Sequence, residues 1–174
     1  MNKTEQNFIQ YQRTNSILFI AMLIGQIVFT AITLYLNQTL GGIAEDDNIR
    51  DIFLLVVPVF FLGQMLASKI VIAKKLKLAR SKETLNEKLF EYRSITIIRL
   101  ALLEGVAFFS IICFLLTGDY IFLVFVGLIM VLFVINKPTK DKLVRELELN
   151  REEQAILDDP TAVVAEAVKS LVSD

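Results

Sequence analysis

Residues 95–116 read ITIIRLALLEGVAFFSIICFLL, a run in which only Arg99 and Glu104 carry charge. At 1.5 Å per residue a helix of this length is about 33 Å long, enough to cross the roughly 30 Å hydrocarbon core of a bilayer. Three further apolar runs lie around it, at about 16–36, 52–73 and 120–135, each bounded by polar or turn-forming sequence. The pattern predicts an all-α fold. Residues 1–136 should form a four-helix transmembrane bundle of two hairpins, and residues 137–174 a tail of amphipathic cytoplasmic helices.

The composition agrees. Hydrophobic residues make up 55% of the chain and the mean hydropathy is +0.58, whereas soluble domains hold roughly 45–50% apolar residues. Lys and Arg number 18 against 19 Asp and Glu, so no basic excess points to nucleic acid. There is no His, which removes the usual general base, pH switch and metal ligand. Cys113 stands alone, as a small hydrophobe in a helix does. No catalytic constellation, metal-ligand spacing or cofactor motif is present, and the expectation is a protein that is not an enzyme and carries no cofactor. The first run is longer than the h-region of a signal peptide and is read as a retained span.

Charge placement sets the expected topology. Between the second and third runs lie Lys74, Lys75, Lys77, Arg80, Lys82, Lys88 and Arg93, whereas the stretch 37–51 has Arg50 beside Glu45, Asp46 and Asp47. By the positive-inside rule the basic connector is cytoplasmic, 37–51 is an external loop and both termini face the cytoplasm. Tyr11 and Tyr92 on one side and Tyr35 and Tyr120 on the other sit where an interfacial aromatic belt would place them.

Local signals divide the polar parts. Residues 2–14 form a partly helical lead. Thr84 with Glu87 and Asn150 with Glu153 fit capping boxes, and Pro138-Thr139 opens a helix. Asp159-Pro160 should open a third tail helix through about Val172, whose stripe of Val164, Ala167, Val168 and Leu171 would pack on the connector or on another protein.

The candidate chemistry is at mid-depth. Gln26, Gln64 and Glu104 all fall near the centre of their spans, and each adjoins a glycine, namely Gly25, Gly63 and Gly105; Gly127 is central in the fourth span. Small residues let membrane helices approach, and amide or carboxyl side chains can then bond across the interface. The expectation is therefore a midplane polar cluster of Gln26, Gln64 and Glu104 between helices packed through these four glycines. A charged carboxylate at the bilayer centre costs at least about 2.5–3.5 kcal/mol, so it needs a partner, a proton or a hydrated path. Lys69 and Arg99 are the possible ion-pair partners. Glu104 either pins the packing or handles an ion.

The stretch from FLGQMLASK (61–69) through a polar connector to IIRLALLEGVAFFSIICFLL (97–116) resembles the hairpin of the proteolipid c subunit of rotary ATP synthases. That resemblance implies that Gly63, Gln64 and Ala67 belong to the first helix of the hairpin and that Glu104 is an ion-binding carboxylate. The whole chain also resembles small uncharacterised four-span proteins of bacteria, in which R-x-A-L-x-E-G in the third span, here Arg99–Gly105, and P-T-K at the start of the tail, here Pro138–Lys140, recur. This implies the bacterial inner membrane. Partners expected are the lipid bilayer and other membrane proteins or further copies of the chain. The expected function is that of a non-enzymatic subunit or accessory module of a larger membrane assembly, the alternative being a proteolipid-like proton or cation translocator.

Overall fold

The computed structural model describes residues 3–41 and 47–168. Eight elements follow one another: β1 (Lys3–Gln6), α1 (Phe8–Leu40), α2 (Asp47–Arg80), α3 (Leu85–Thr117), α4 (Ile121–Ile135), α5 (Lys140–Leu147), α6 (Arg151–Asp158) and β2 (Ala165–Val168). The chain is helical apart from one short ribbon, in which β1 and β2 pair antiparallel with Lys3 opposite Val168 and Gln6 opposite Ala165. Three helices, α1, α2 and α3, are long and apolar enough to cross a membrane.

The helices begin where side chains satisfy their first N–H groups. Asn7 caps α1: the Gln10 N–H donates to Asn7 Oδ1 at 2.9 Å and the Asn7 N–H donates to Gln10 Oε1 at 3.2 Å, a reciprocal box. Thr84 and Glu87 do the same for α3, Thr139 caps α5, and Asn150 with Glu153 boxes α6. Pro58 is carried inside α2. The stretch 37–51 is shorter as a loop than its composition suggests: α1 continues through Asn37–Leu40 and α2 has begun by Asp47. Thr39, one of the polar residues there, donates to the Tyr35 carbonyl a turn back, which lets it sit in a helix. Gly42, Glu45 and Asp46 lie outside the described residues.

Contacts divide the chain into two compact units. One comprises Met1–Leu18, Ile72–Ile97 and Pro138–Asp174; the other comprises Phe19–Val71 and Ile98–Lys137. The division at 137/138 falls at the expected start of the tail, but the tail shares its unit with the N-terminal lead and the basic connector.

In the first unit Phe8, Tyr11, Leu89, Tyr92, Ile95, Leu143, Leu147, Leu157 and Val164 form one buried cluster. Polar links surround it. Arg80 bridges to Glu148 at 2.7 Å, Lys88 to Glu153 at 2.6 Å, and Lys140 pairs with Asp158. The stripe residue Val164 thus packs against the chain's own connector. Its helix, however, does not form. Asp159 Oδ1 accepts hydrogen bonds from the N–H and hydroxyl of Thr161, an Asx turn that closes α6. The chain then extends: the Val164 N–H donates to the Gln6 carbonyl at 2.9 Å and β2 follows. Leu171 lies outside the described residues. Tyr11 and Tyr92 are not belt residues but buried ones. The Tyr11 hydroxyl donates to the Leu89 carbonyl at 2.8 Å, the Tyr92 hydroxyl pairs with Glu146 at 2.9 Å, and the Arg93 guanidinium lies 4.7 Å above the Tyr11 ring. Burial is the largest influence on the Tyr11 phenol and pushes it up to about 12, against smaller opposing effects of Asn15 and Arg93.

The second unit has its apolar surface outward. On α1 Phe19, Gln26 and Thr33 are buried at seven-residue spacing, while Ile20, Ile24, Ile27, Val28 and Ile32 are exposed. On α4 Phe122, Val126, Ile129 and Phe133 face inward and Val124, Leu128 and Val131 outward. A water-soluble helix would place polar residues where these isoleucines and valines stand. The helix at the centre is α3, with 44% of its apolar stretch buried against 17% for α1 and 11% for α2. Its Leu100, Leu103, Val106 and Ala107 pack with Phe19, Ile129 and Phe133, and its Cys113 and Phe114 pack with Val57 and Phe122. Phe rings lock the same pairs of helices, Phe29 against Phe108 at 5.3 Å and Phe60 against Phe109 at 5.2 Å.

Candidate functional site at the level of Glu104

Helix register in the second unit brings the three polar residues to one level. The Phe29–Phe108 contact fixes α1 against α3, which places Gln26 opposite the turn holding Glu104 and Gly105. On α2, Gln64 Nε2 donates to the Leu102 carbonyl at 3.0 Å, so Gln64 stands within a turn of the same level. Their environments nevertheless differ. Gln26 is fully buried, and neither its Oε1 nor its Nε2 has a hydrogen-bond partner among the described residues. Gln64 and Glu104 are half-buried. Among the described residues no hydrogen bond joins any two of the three, so they share a level without forming a bonded cluster.

An amide enclosed without partners costs roughly 2–7 kcal/mol by transfer from water. The hydroxyls nearby do not relieve Gln26. Thr30 Oγ1 donates to the Gln26 backbone carbonyl and Thr33 Oγ1 to the Thr30 carbonyl, both within α1. On α3 the buried hydroxyls of Thr96 and Ser110 likewise donate to carbonyls a turn back, at Tyr92 and Val106.

The expected ion pairs are not made. Among the described residues no salt bridge or hydrogen bond joins Glu104 to Lys69 or Arg99: Lys69 is exposed on α2, and Arg99 is buried and engaged elsewhere. The reason for Arg99 is helical geometry, since residues five apart do not face each other.

The glycines also depart from expectation. A Cβ added at Gly25, Gly63, Gly105 or Gly127 would meet nothing within 4 Å, so none of them is a point of close helix packing within the chain. Successive residues on a helix are about 100° apart, and a glycine beside an inward glutamine is therefore turned outward. What the sequence held, and periodicity could have shown, is that each of three helices carries a pair of small residues four apart on that outer face. Ala21 with Gly25, Gly63 with Ala67, and Ala101 with Gly105 are all exposed. Glu104 stands at the edge of the third pair.

No group of three or more His, Cys, Asp or Glu that could hold a metal ion occurs among the described residues. Fold and site together define a helical membrane protein whose outward faces carry small residues and, on α3, a carboxyl. Comparison with family models, with curated proteins and with solved structures finds no match.

Proposed function

We propose that this chain is a four-span integral protein of the bacterial inner membrane, with both termini and the tail cytoplasmic, and that it serves as a non-enzymatic subunit or accessory module of a larger membrane assembly. The observation that carries the reading is the outer face of α3. Glu104 lies in the middle of an apolar helix, is half-buried, and is joined by no hydrogen bond or ion pair to another of the described residues, while Ala101 beside it is exposed and Gly105 leaves open space. An intramembrane carboxyl turned outward calls for a partner there, and small residues four apart are the surface on which a second helix approaches closely. The fourth span would be α4, which is short but apolar throughout. The tail supports the reading in a different way: its Leu143, Leu147, Leu149, Leu157 and Val164 are buried in one cluster with side chains of the lead and connector, and the membrane faces are the larger exposed apolar surface.

The test is the mass of the particle extracted gently from the native membrane. Wild type should migrate as a complex of several chains, and Gly105→Leu, which meets no atom of its own chain, should migrate as a monomer with unchanged helix content. A wild-type monomer would sink the proposal.

A further inference from the structure

The last turns of α2 carry positive charge that the chain leaves unanswered. From Ile52 to Lys82 there is no Asp or Glu, and Lys74, Lys75, Lys77, Arg80 and Lys82 close the stretch. Arg80 is taken by the tail, through the Glu148 carboxylate and the Glu146 carbonyl. The tail carboxylates Glu153 and Asp158 meet Lys88 and Lys140 instead. The side chains of Lys74, Lys75 and Lys77 are joined by no hydrogen bond or ion pair to any described residue.

These lysines share one side of the helix. At about 100° per residue, Lys77, Lys74, Leu78 and Lys75 fall in that order across an arc of about 160°. Ile72, Leu76 and Ala79, which pack into the buried cluster, lie on the opposite side. Arg80 falls between the two faces. Lys74, Lys77 and Leu78 are exposed, and Leu78 is half open to its surroundings at 50%. Since α2 is one helix from Asp47 to Arg80, the same count puts the exposed Val56, Val59, Phe60 and Ile70 on the side of the lysines. The lysine face therefore continues the outward apolar face.

Depth agrees with this. The outward apolar residues of α2 run from Ile52 to Val71, about 29 Å at 1.5 Å per residue, which is the thickness of the hydrocarbon core. Lys74 stands about 4.5 Å past Val71 and Lys77 about 9 Å, whereas headgroups add roughly 5–7 Å on each side of the core. Flexible lysine stems let the ammonium groups bend to that layer. Orientation of the span by charge asks only for cations near its inner end; it does not ask for an exposed leucine among them on the lipid-facing side.

We infer that Lys74, Lys75 and Lys77, with Leu78 beside them, form a docking face for the headgroups of anionic phospholipids, the ammonium groups donating to phosphate oxygens. Charge, depth and continuity with the apolar face all select this occupant. The inference rests on α2 crossing the membrane and not on the assembly role.

The full-length protein is reconstituted in vesicles of equal phosphatidylglycerol and phosphatidylcholine, extracted gently, and weighed intact with the lipid it retains. Both leaflets have one composition, so the direction of insertion plays no part. Wild type should retain phosphatidylglycerol over phosphatidylcholine by at least about tenfold. Replacing Lys74, Lys75 and Lys77 together by Gln should bring the ratio near one, while replacing all of them by Arg should preserve it. Lys82→Gln, about 16 Å past Val71 and beyond the headgroup layer, should stay within about twofold of wild type. Equal retention of both lipids by wild type overturns the inference, and so does an unchanged ratio in the Gln variant, the result expected of lysines that only orient the span. If the Gln variant does not fold, Lys74→Gln alone, at an exposed and unbonded side chain, must lower the ratio; an unchanged one is equally fatal. Gly105→Leu should keep this ratio when its assembly is lost, so that either proposal can fail with the other standing.

Discussion

Lys88 and Glu153 meet at 2.6 Å with only 13% and 14% of their side chains exposed. Burial alone would raise the Glu153 carboxyl, but the hydrogen bond and charge of Lys88 and the Asn150 N–H outweigh it, and the net shift is downward from the ordinary value of 4.5. A carboxyl depressed by folding stabilises the fold above its unfolded value, and that contribution is lost as pH falls through the folded value. Protection of the α6 amides, taken relative to their intrinsic exchange rates at each pH, should therefore hold above about pH 4.5 and fall below it. Lys88→Met should flatten this dependence and cost roughly 1–3 kcal/mol, because it leaves a covered carboxylate short of a partner. Tyr11 has the opposite sign. Its phenol is held neutral up to about 12 from an ordinary value of 10.0, so its contribution is complete below pH 10 and disappears as pH rises through 12. Ultraviolet titration of wild type against Tyr11→Phe should show one phenol missing from the top of the curve. At this scale the sequence was an uneven guide. Gln26, Gln64 and Glu104 could be picked out because polar groups are rare in the spans, and counting residues placed them at one depth. Which way each points could not be counted, because it depends on contacts such as Phe29 with Phe108 that join residues far apart in the chain.

The helices were legible wherever a local rule decides. The boxes at Thr84 and Asn150 and the cap at Thr139 are formed as their spacing indicates, and the same rule applied to Asn7 and Gln10 would have located the start of α1. Asn7→Ala should cost about 1 kcal/mol, seen as faster exchange in the first turn of α1. The end of the tail was not legible. Asp159-Pro160 can begin a helix or make a turn, and the turn prevails because the following segment pairs with Lys3–Gln6 at the other end of the chain. The glycines carry a prediction of their own. With open space at each Cβ position, Gly25→Ala and Gly63→Ala should leave the melting temperature of the detergent-solubilised monomer unchanged or raise it. A clear fall would mean that these faces do pack within the chain.

The whole molecule is defined by where its apolar surface goes. In the unit built from Phe19–Val71 and Ile98–Lys137, isoleucine, leucine and valine cover the outside while Gln26, Thr33 and Ser110 are enclosed. The other unit is closed over a core of its own and fastened by ion pairs. Composition made the membrane character plain, since no soluble fold of this length could cover so much apolar surface. The joining of lead, connector and tail into one unit was hidden, because it rests on contacts between segments separated by whole spans. The proposed topology has the basic connector and the tail cytoplasmic and the Thr117–Tyr120 turn outside, with four crossings in all. The most direct test uses a Cys113→Ser background with single cysteines at Glu83, Asp119 or Val163, probed in intact cells with an impermeant maleimide. The account predicts that Asp119→Cys is labelled, and that Glu83→Cys and Val163→Cys react only after the membrane is opened. Labelling of Val163→Cys in intact cells while Glu83→Cys stays protected would mean an odd number of crossings between connector and tail, and would contradict it.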